Sequence, residues 1–195
     1  RTGIDLPGEE AGLLPTPEWK REVLEEEGDA GDTVNMGIGQ GFLLATPLQM
    51  AVATSTVANG GKVMRPRLAS HATNHKGQVV WRNEPEVLRR LPVEGGHLET
   101  VKLGMRGAVT HGTGVAADSP LAPVAGKTGT VESFASVYNP AGRNHVWFVS
   151  FAPYQNPEIC VVVFLEKSGG YGGEYAAPIA RKVIDTWFTL KGASR

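Results

Sequence analysis

The chain has 195 residues, 41% hydrophobic and 20% charged, with a formal net charge of −1. That length suffices for one large domain or a sizeable part of one, and the near-neutral balance argues against nucleic acid as a partner, which demands a basic face. The longest apolar runs fall well short of a membrane span.

Neither an initiator methionine nor a signal-like stretch opens the chain, so Arg1 reads as the start of a fragment. Residues 1–35 are acidic and irregular, with a proline-rich link around Pro15 and Pro17. Glu18 to Glu27 predicts a short surface helix broken at Gly28, with Glu25, Glu26 and Glu27 on a solvated face. The alternating glycines Gly37, Gly39 and Gly41 invite a dinucleotide-binding reading, but Phe42 stands where the third glycine of that fingerprint belongs. No convincing strand precedes them and no suitably spaced acid follows. A glycine-rich turn packed under a site is the expectation, and no cofactor is implied.

Thr46-Pro47 opens a helix, threonine as N-cap and proline at the first helical position. Leu48, Met50, Ala51, Val52, Val57 and Ala58 make it largely apolar, so burial on most sides is predicted, and Asn59-Gly60-Gly61 ends it. Residues 62–92 read as a small strand insertion in which Asn74-His75-Lys76-Gly77 turns a hairpin. His71 and His75 lack a third ligand at metal spacing, so no metal is expected. Leu98, Val101, Met105 and Val109 recur at helical spacing, and that second core helix ends at Gly112-Thr113-Gly114.

Leu121 to Glu132 then reads as a strand containing Ala125-Gly126-Lys127-Thr128-Gly129-Thr130. Glycines within a strand mark close approach of a ligand or a second backbone, so Gly126 and Gly129 are expected to keep an edge clear for a visiting peptide. Lys127, Thr128 and Thr130 offer it a cation and hydroxyls. An ordinary basic turn is the alternative at this point. A phosphate loop is not, because Leu121 replaces the required glycine and β-branched Thr130 and Val131 disfavour the helix that must follow. Val146 to Ala152 and Glu158 to Glu166 form a hairpin across Pro153-Tyr154-Gln155-Asn156-Pro157. The apolar second arm predicts a central strand, and Cys160 within it reads as a buried, inert thiol. After the glycine loop Gly169 to Gly173, Ile179, Ala180, Val183, Ile184, Trp187 and Phe188 form one apolar stripe of a last helix, expected across the sheet.

Lys-Thr-Gly is also the third element of serine acyl-transfer enzymes that act on penicillin-like and D-alanyl substrates, beside Ser-x-x-Lys and Ser-x-Asn. An ordered set of stretches makes that comparison specific. It comprises Thr2 to Glu9, Gly31-Asp32-Thr33-Val34-Asn35, Ile38-Gly39-Gln40-Gly41, Thr46 to Ala51, Ala58 to Gly61, Ala125 to Thr130, Phe151 to Pro157 and Ala177-Pro178-Ile179-Ala180. In these the chain resembles the C-terminal half of the transpeptidase domain of class B penicillin-binding proteins, nearest the elongation-type branch.

The resemblance implies an α+β fold, an antiparallel sheet with helices on both faces. Residues 1–195 would be the C-terminal part of one domain, with 121–190 as its last three strands and C-terminal helix. It implies that Lys127 reaches toward the serine of Ser-x-Asn, that Thr128 and Thr130 hold the carboxylate of substrate or β-lactam, and that Gly129 lies in the substrate-binding stretch. The Thr130 N–H would form half of the oxyanion hole. The implied activity is a peptidoglycan D,D-transpeptidase that cross-links stem peptides, anchored in the bacterial cytoplasmic membrane with its catalytic domain outside, beside a membrane glycan polymerase of the elongation machinery. A septal transpeptidase, a D,D-carboxypeptidase, a β-lactam sensor that does not turn over and a scaffold in the cell-wall machinery are the other readings.

The chain departs from the family in one respect. None of Ser55, Ser70, Ser119, Ser133, Ser136, Ser150, Ser168 and Ser194 begins Ser-x-x-Lys or Ser-x-Asn. The nucleophile is therefore expected upstream, in the missing N-terminal half of the domain, and this chain alone is expected not to be acylated. The third strand is expected to expose an unpaired edge that a companion segment covers.

Overall fold

A computed structural model describes residues 1–132 and 135–193, so Ser133 and Ser194 lie outside the described residues. Helix α1 (Pro17–Leu24) starts where Thr16 accepts the Trp19 N–H at 3.1 Å. It ends at Glu25, which takes a left-handed backbone (φ 58°), so the expected helix to Glu27 is three residues too long. A further turn would set Glu22 against Glu25 and Glu26, like charges three and four residues apart, and Glu27 instead folds back onto Arg21.

The glycine-rich stretch that follows is not simply a turn. Helix α2 (Ala30–Gly37) runs through Gly31 and reaches Gly37. A capping box outweighs the weak propensity of those glycines: Asp32 N–H donates to the Asp29 carboxylate, and Asp29 N–H donates to the Asp32 carboxylate. The turn proper is Gly39-Gln40-Gly41, with both glycines at positive φ.

Helix α3 (Pro47–Ala58) begins at Thr46 as expected, with a second capping box closed by Gln49. Only Thr54, Thr56 and Ala58 are fully buried along it, so the helix is half-buried rather than enclosed. Strands β1 (Lys62–Met64), β2 (His71–Thr73), β3 (Val79–Arg82) and β4 (Val87–Arg90) follow. β2 and β3 make the hairpin across Asn74 to Gly77, and β1 pairs with β4 beneath it. Helix α4 (Gly95–Thr110) buries Leu98 and Val109, whereas Val101 stays 48% exposed.

The main sheet is antiparallel, ordered β5 (Ala125–Val131), β6 (His145–Ala152), β7 (Ile159–Leu165). Helix α5 (Gly172–Ala193) covers one face, its Ala176, Ala177, Ala180 and Ile184 packed with Phe148, Val146 and Val163. On the other face, α3 and α4 meet Ala125 and Phe151 through Ala58 and Met105. The expected α+β architecture is present, with helices on both faces.

Among the described residues β6 is the central strand and β7 lies at the edge, the unpaired edge expected of the third strand despite its continuous apolarity. The expectation of a single apolar stripe on the last helix needs correction. The stripe on α5 is two faces: Ala180 and Ile184 are buried, while Ile179, Val183 and Trp187 are 40–44% exposed. At 100° per residue an apolar arc spanning all six positions is wider than one sheet face covers.

Candidate active site

β5 pairs with β6 along one side only, leaving its other edge open among the described residues. In an antiparallel ladder, alternate residues direct both N–H and C=O to the partner strand, and the residues between direct both away. Lys127 Nζ donates to the Thr128 carbonyl at 2.7 Å, and Gln40 Nε2 donates to the Thr130 carbonyl at 3.2 Å. Both acceptors therefore lie on the open edge, which puts the Thr128 and Thr130 N–H groups there too.

Side chains alternate between the two faces of the strand. Lys127 is exposed and lines a groove of about 1070 Å³ with Ala53, Val57, Val101, Met105 and Val149. Thr128 lies toward α5, and its hydroxyl shares a 2.7 Å hydrogen bond with that of Thr113, from the loop after α4. Arg106 and His111 also line the groove, and cations beside an open strand edge with a hydroxyl pair behind it suit the chemistry of a peptide carboxylate.

The glycines also serve a purpose within the sheet. A Cβ on Gly126 would stand 2.6 Å from Phe148 Cζ, and one on Gly129 3.2 Å from Trp147 Cβ. Both make room for neighbours within the sheet. Gly172 and Gly173 do the same from above: a Cβ would meet the Trp147 and Thr113 carbonyls at 2.4 and 2.1 Å. The start of α5 is thereby held close against Thr128 and Gly129.

Sequence reading missed Thr113, Gln40 and Gly173 as neighbours of this strand. The signal for Thr113 was present in Gly112-Thr113-Gly114, read only as a helix end. Gln40 lay in a motif judged against nucleotide-binding patterns, and no local pattern connects it to a residue ninety positions away.

Beneath the Gln40 turn, the Lys20 side chain is 10% exposed and paired with Asp32 at 2.9 Å. That hydrogen bond holds the Lys20 ammonium above its ordinary range and, with the Asp29 N–H, holds the Asp32 carboxyl below the ordinary carboxylate range. Trp19 and Phe42 pack beside it with ring centroids 5.5 Å apart. No group of three metal-ligating side chains occurs among the described residues, and no helix among them is long and apolar enough to cross a membrane.

Cys160 is half-buried rather than fully buried as expected. Burial pushes it up to about 11, partly offset by a hydrogen bond with Ser55, and its Sγ contacts the Ala51 carbonyl at 3.7 Å. Only the thiolate reacts, so iodoacetamide at pH 8 should alkylate Cys160 about a hundredfold more slowly than an ordinary thiol. Mass spectrometry of a time course checks this, and rapid quantitative labelling of the folded protein would contradict it.

The chain matches the family model "Penicillin binding protein transpeptidase domain" over residues 1–185. It is 40% identical to the peptidoglycan D,D-transpeptidase MrdA of Haemophilus influenzae, over 97% of this chain and 31% of that protein. Against MrdA of Escherichia coli K12 it is 35% identical, over 94% and 30%. The chain thus spans about a third of the length of these relatives. Among solved structures, penicillin-binding protein 2 (PBP2) of Pseudomonas aeruginosa in complex with WCK 5153 superposes with a TM-score of 0.73 at 35% identity, covering 94% of this chain and 39% of that one. PBP2 of Helicobacter pylori in complex with MreC superposes at 0.72 with 28% identity, covering 95% and 33%.

Proposed function

Since the chain belongs to the penicillin-binding protein transpeptidase family, we propose that it supplies the Lys-Thr-Gly wall of an elongation-type peptidoglycan D,D-transpeptidase. Such an enzyme takes a stem peptide ending in D-alanyl-D-alanine, forms a serine acyl-enzyme, releases D-alanine, and passes the acyl group to the amine of a second stem peptide. β-Lactams occupy the same place and stop at the acyl-enzyme. The observation that carries this reading is the open edge of β5 at Thr128 to Thr130, with Lys127 beside it on the groove.

Each role follows from residue type. The Lys127 ammonium raises the positive potential of the groove, attracting the substrate carboxylate and favouring proton relay between neighbouring hydroxyls. The Thr128 and Thr130 hydroxyls hold that carboxylate, Gly129 lets it lie close to the strand, and the Thr130 N–H donates to the oxyanion of the tetrahedral intermediate.

The serine is contributed by sequence outside these 195 residues, since none of the serines here begins Ser-x-x-Lys. The same additional segment covers the edge of β7 and the exposed Ile179, Val183 and Trp187 face of α5. As an elongation-type protein the whole would be membrane-anchored, face the wall, and work beside a glycan polymerase and partners of the MreC kind.

The test uses a fluorescent penicillin and a D-alanyl-D-alanine donor peptide. The complete protein should be labelled covalently on a serine and release D-alanine, while the 195-residue chain alone stays unlabelled. Labelling without donor turnover would replace the enzyme by a sensor. Covalent labelling of the isolated chain would place the nucleophile within it.

A further inference from the structure

Gln40 is the one side chain from the N-terminal segment for which a hydrogen bond to β5 is described, and it bonds at a particular point. Its Nε2 donates to the carbonyl of Thr130, the last open-edge residue before the strand ends at Val131. A strand terminus with no neighbour on one side frays, because nothing fixes its last peptide groups. From this geometry we infer that Gln40 is a positioning residue. By holding the Thr130 carbonyl it fixes the peptide group on the C-terminal side of the Thr130 Cα and, with the Gly129–Trp147 ladder pair on the other side, aims the Thr130 N–H.

The turn that delivers Gln40 is built to hold still. Gln40 N–H donates to the Asn35 carbonyl at 2.9 Å and Gly39 N–H to the Met36 carbonyl at 3.0 Å, so the turn is closed onto the end of α2. Gly39 and Gly41 on either side sit at φ 75° and 78°, a conformation other residues rarely adopt. Helix α2 is in turn tied to α1 by the Lys20–Asp32 pair. A continuous series of bonds therefore runs from Lys20 to the peptide group that flanks the proposed oxyanion donor.

The consequence concerns rate rather than ground-state affinity. An oxyanion donor acts only when aimed at the charge that develops in the transition state, whereas carboxylate binding by Thr128 and Thr130 hydroxyls does not depend on that aim. The inference rests on the reading of Thr130 N–H as that donor, and the experiment separates the two.

In the complete protein, Gln40→Glu removes the N–H donor at constant shape, and Gln40→Lys restores a donor. Gln40→Glu should slow acylation by penicillin about tenfold, with the affinity of the preceding non-covalent complex within twofold of the parent. Gln40→Lys should recover to within about threefold, and all three proteins should melt within 2 °C of one another. Amide exchange at Val131, paired with His145 across the ladder, should be about tenfold faster in Gln40→Glu than in the parent. Parental acylation and parental Val131 exchange in Gln40→Glu would overturn the inference, as would equal losses in Glu and Lys variants. A parent protein that is never acylated would sink the functional reading instead, and the Val131 exchange rate would still decide whether Gln40 holds the strand.

Discussion

Lys127→Ala in the complete protein should slow acylation by penicillin about a thousandfold, while the protein continues to fold. Lys127 is exposed, and its one described hydrogen bond is to the Thr128 carbonyl beside it. Removing such a side chain leaves no buried group unpaired, so stability should change by about 0.5 kcal/mol or less. Its contribution is instead to the groove, which it lines with Val57, Val101, Met105 and Val149. Arg106 supplies a second cation to that lining, so the expected loss comes from the proton-exchanging ammonium at the strand edge and not from positive charge alone. Positioned proton transfer contributes on the order of a hundred- to ten-thousandfold, which sets the size of the expected loss.

Two further variants separate charge from chemistry. Lys127→Arg keeps the cation but not a group that readily exchanges a proton, so it should retain carboxylate affinity and lose most of the rate. Thr128→Val removes the hydroxyl that pairs with Thr113 and should weaken initial binding more than it slows acylation. Stopped-flow acylation kinetics, giving affinity and rate constant separately, read all three. An unchanged rate in Lys127→Ala would return this residue to the status of an ordinary surface lysine.

The parts of the fold that were legible in sequence are those governed by local chemistry. Thr46-Pro47 marks a helix start because a hydroxyl caps free N–H groups and proline needs no partner for its own nitrogen. Asn74 to Gly77 marks a hairpin because Gly77 accepts positive φ. Helix α2 could have been read the same way, since Asp29 and Asp32 stand at capping-box spacing, but Gly31 and Gly37 concealed it. What remained illegible depends on which surfaces meet. The apolar residues of α5 do not say that Ile184 faces the sheet and Val183 does not, and the apolarity of β7 does not say which strand lies beside it.

The candidate site divides in the same way. Lys127, Thr128 and Thr130 announce themselves because their types and spacing suit a carboxylate. Thr113 and Gln40 do not, because each reaches the strand through tertiary packing alone. The two glycines of the motif were noticed for a missing side chain, but the sheet neighbours it accommodates, Phe148 and Trp147, were not legible.

The close approach of Gly126 to Phe148 leads to the largest expected effect on stability. Gly126→Ala should destabilise the protein by about 3 kcal/mol, at the upper end of the range for overpacked cores. Gly126 is buried in the strand and does not need positive φ, so the cost is steric and not conformational. The added Cβ would lie 2.6 Å from Phe148 Cζ and 2.8 Å from the Val149 carbonyl oxygen. Phe148 is itself fully buried against α5, so its ring has no free direction in which to turn. The Val149 carbonyl is backbone of the paired strand and can retreat only if the β5–β6 ladder opens. In a domain of this size 3 kcal/mol corresponds to a fall of about 6–12 °C in melting temperature. Gly192→Ala, where a Cβ meets nothing within 4 Å, should leave it within about 1 °C. Equal melting temperatures for the two variants would mean that Gly126 is not held against Phe148.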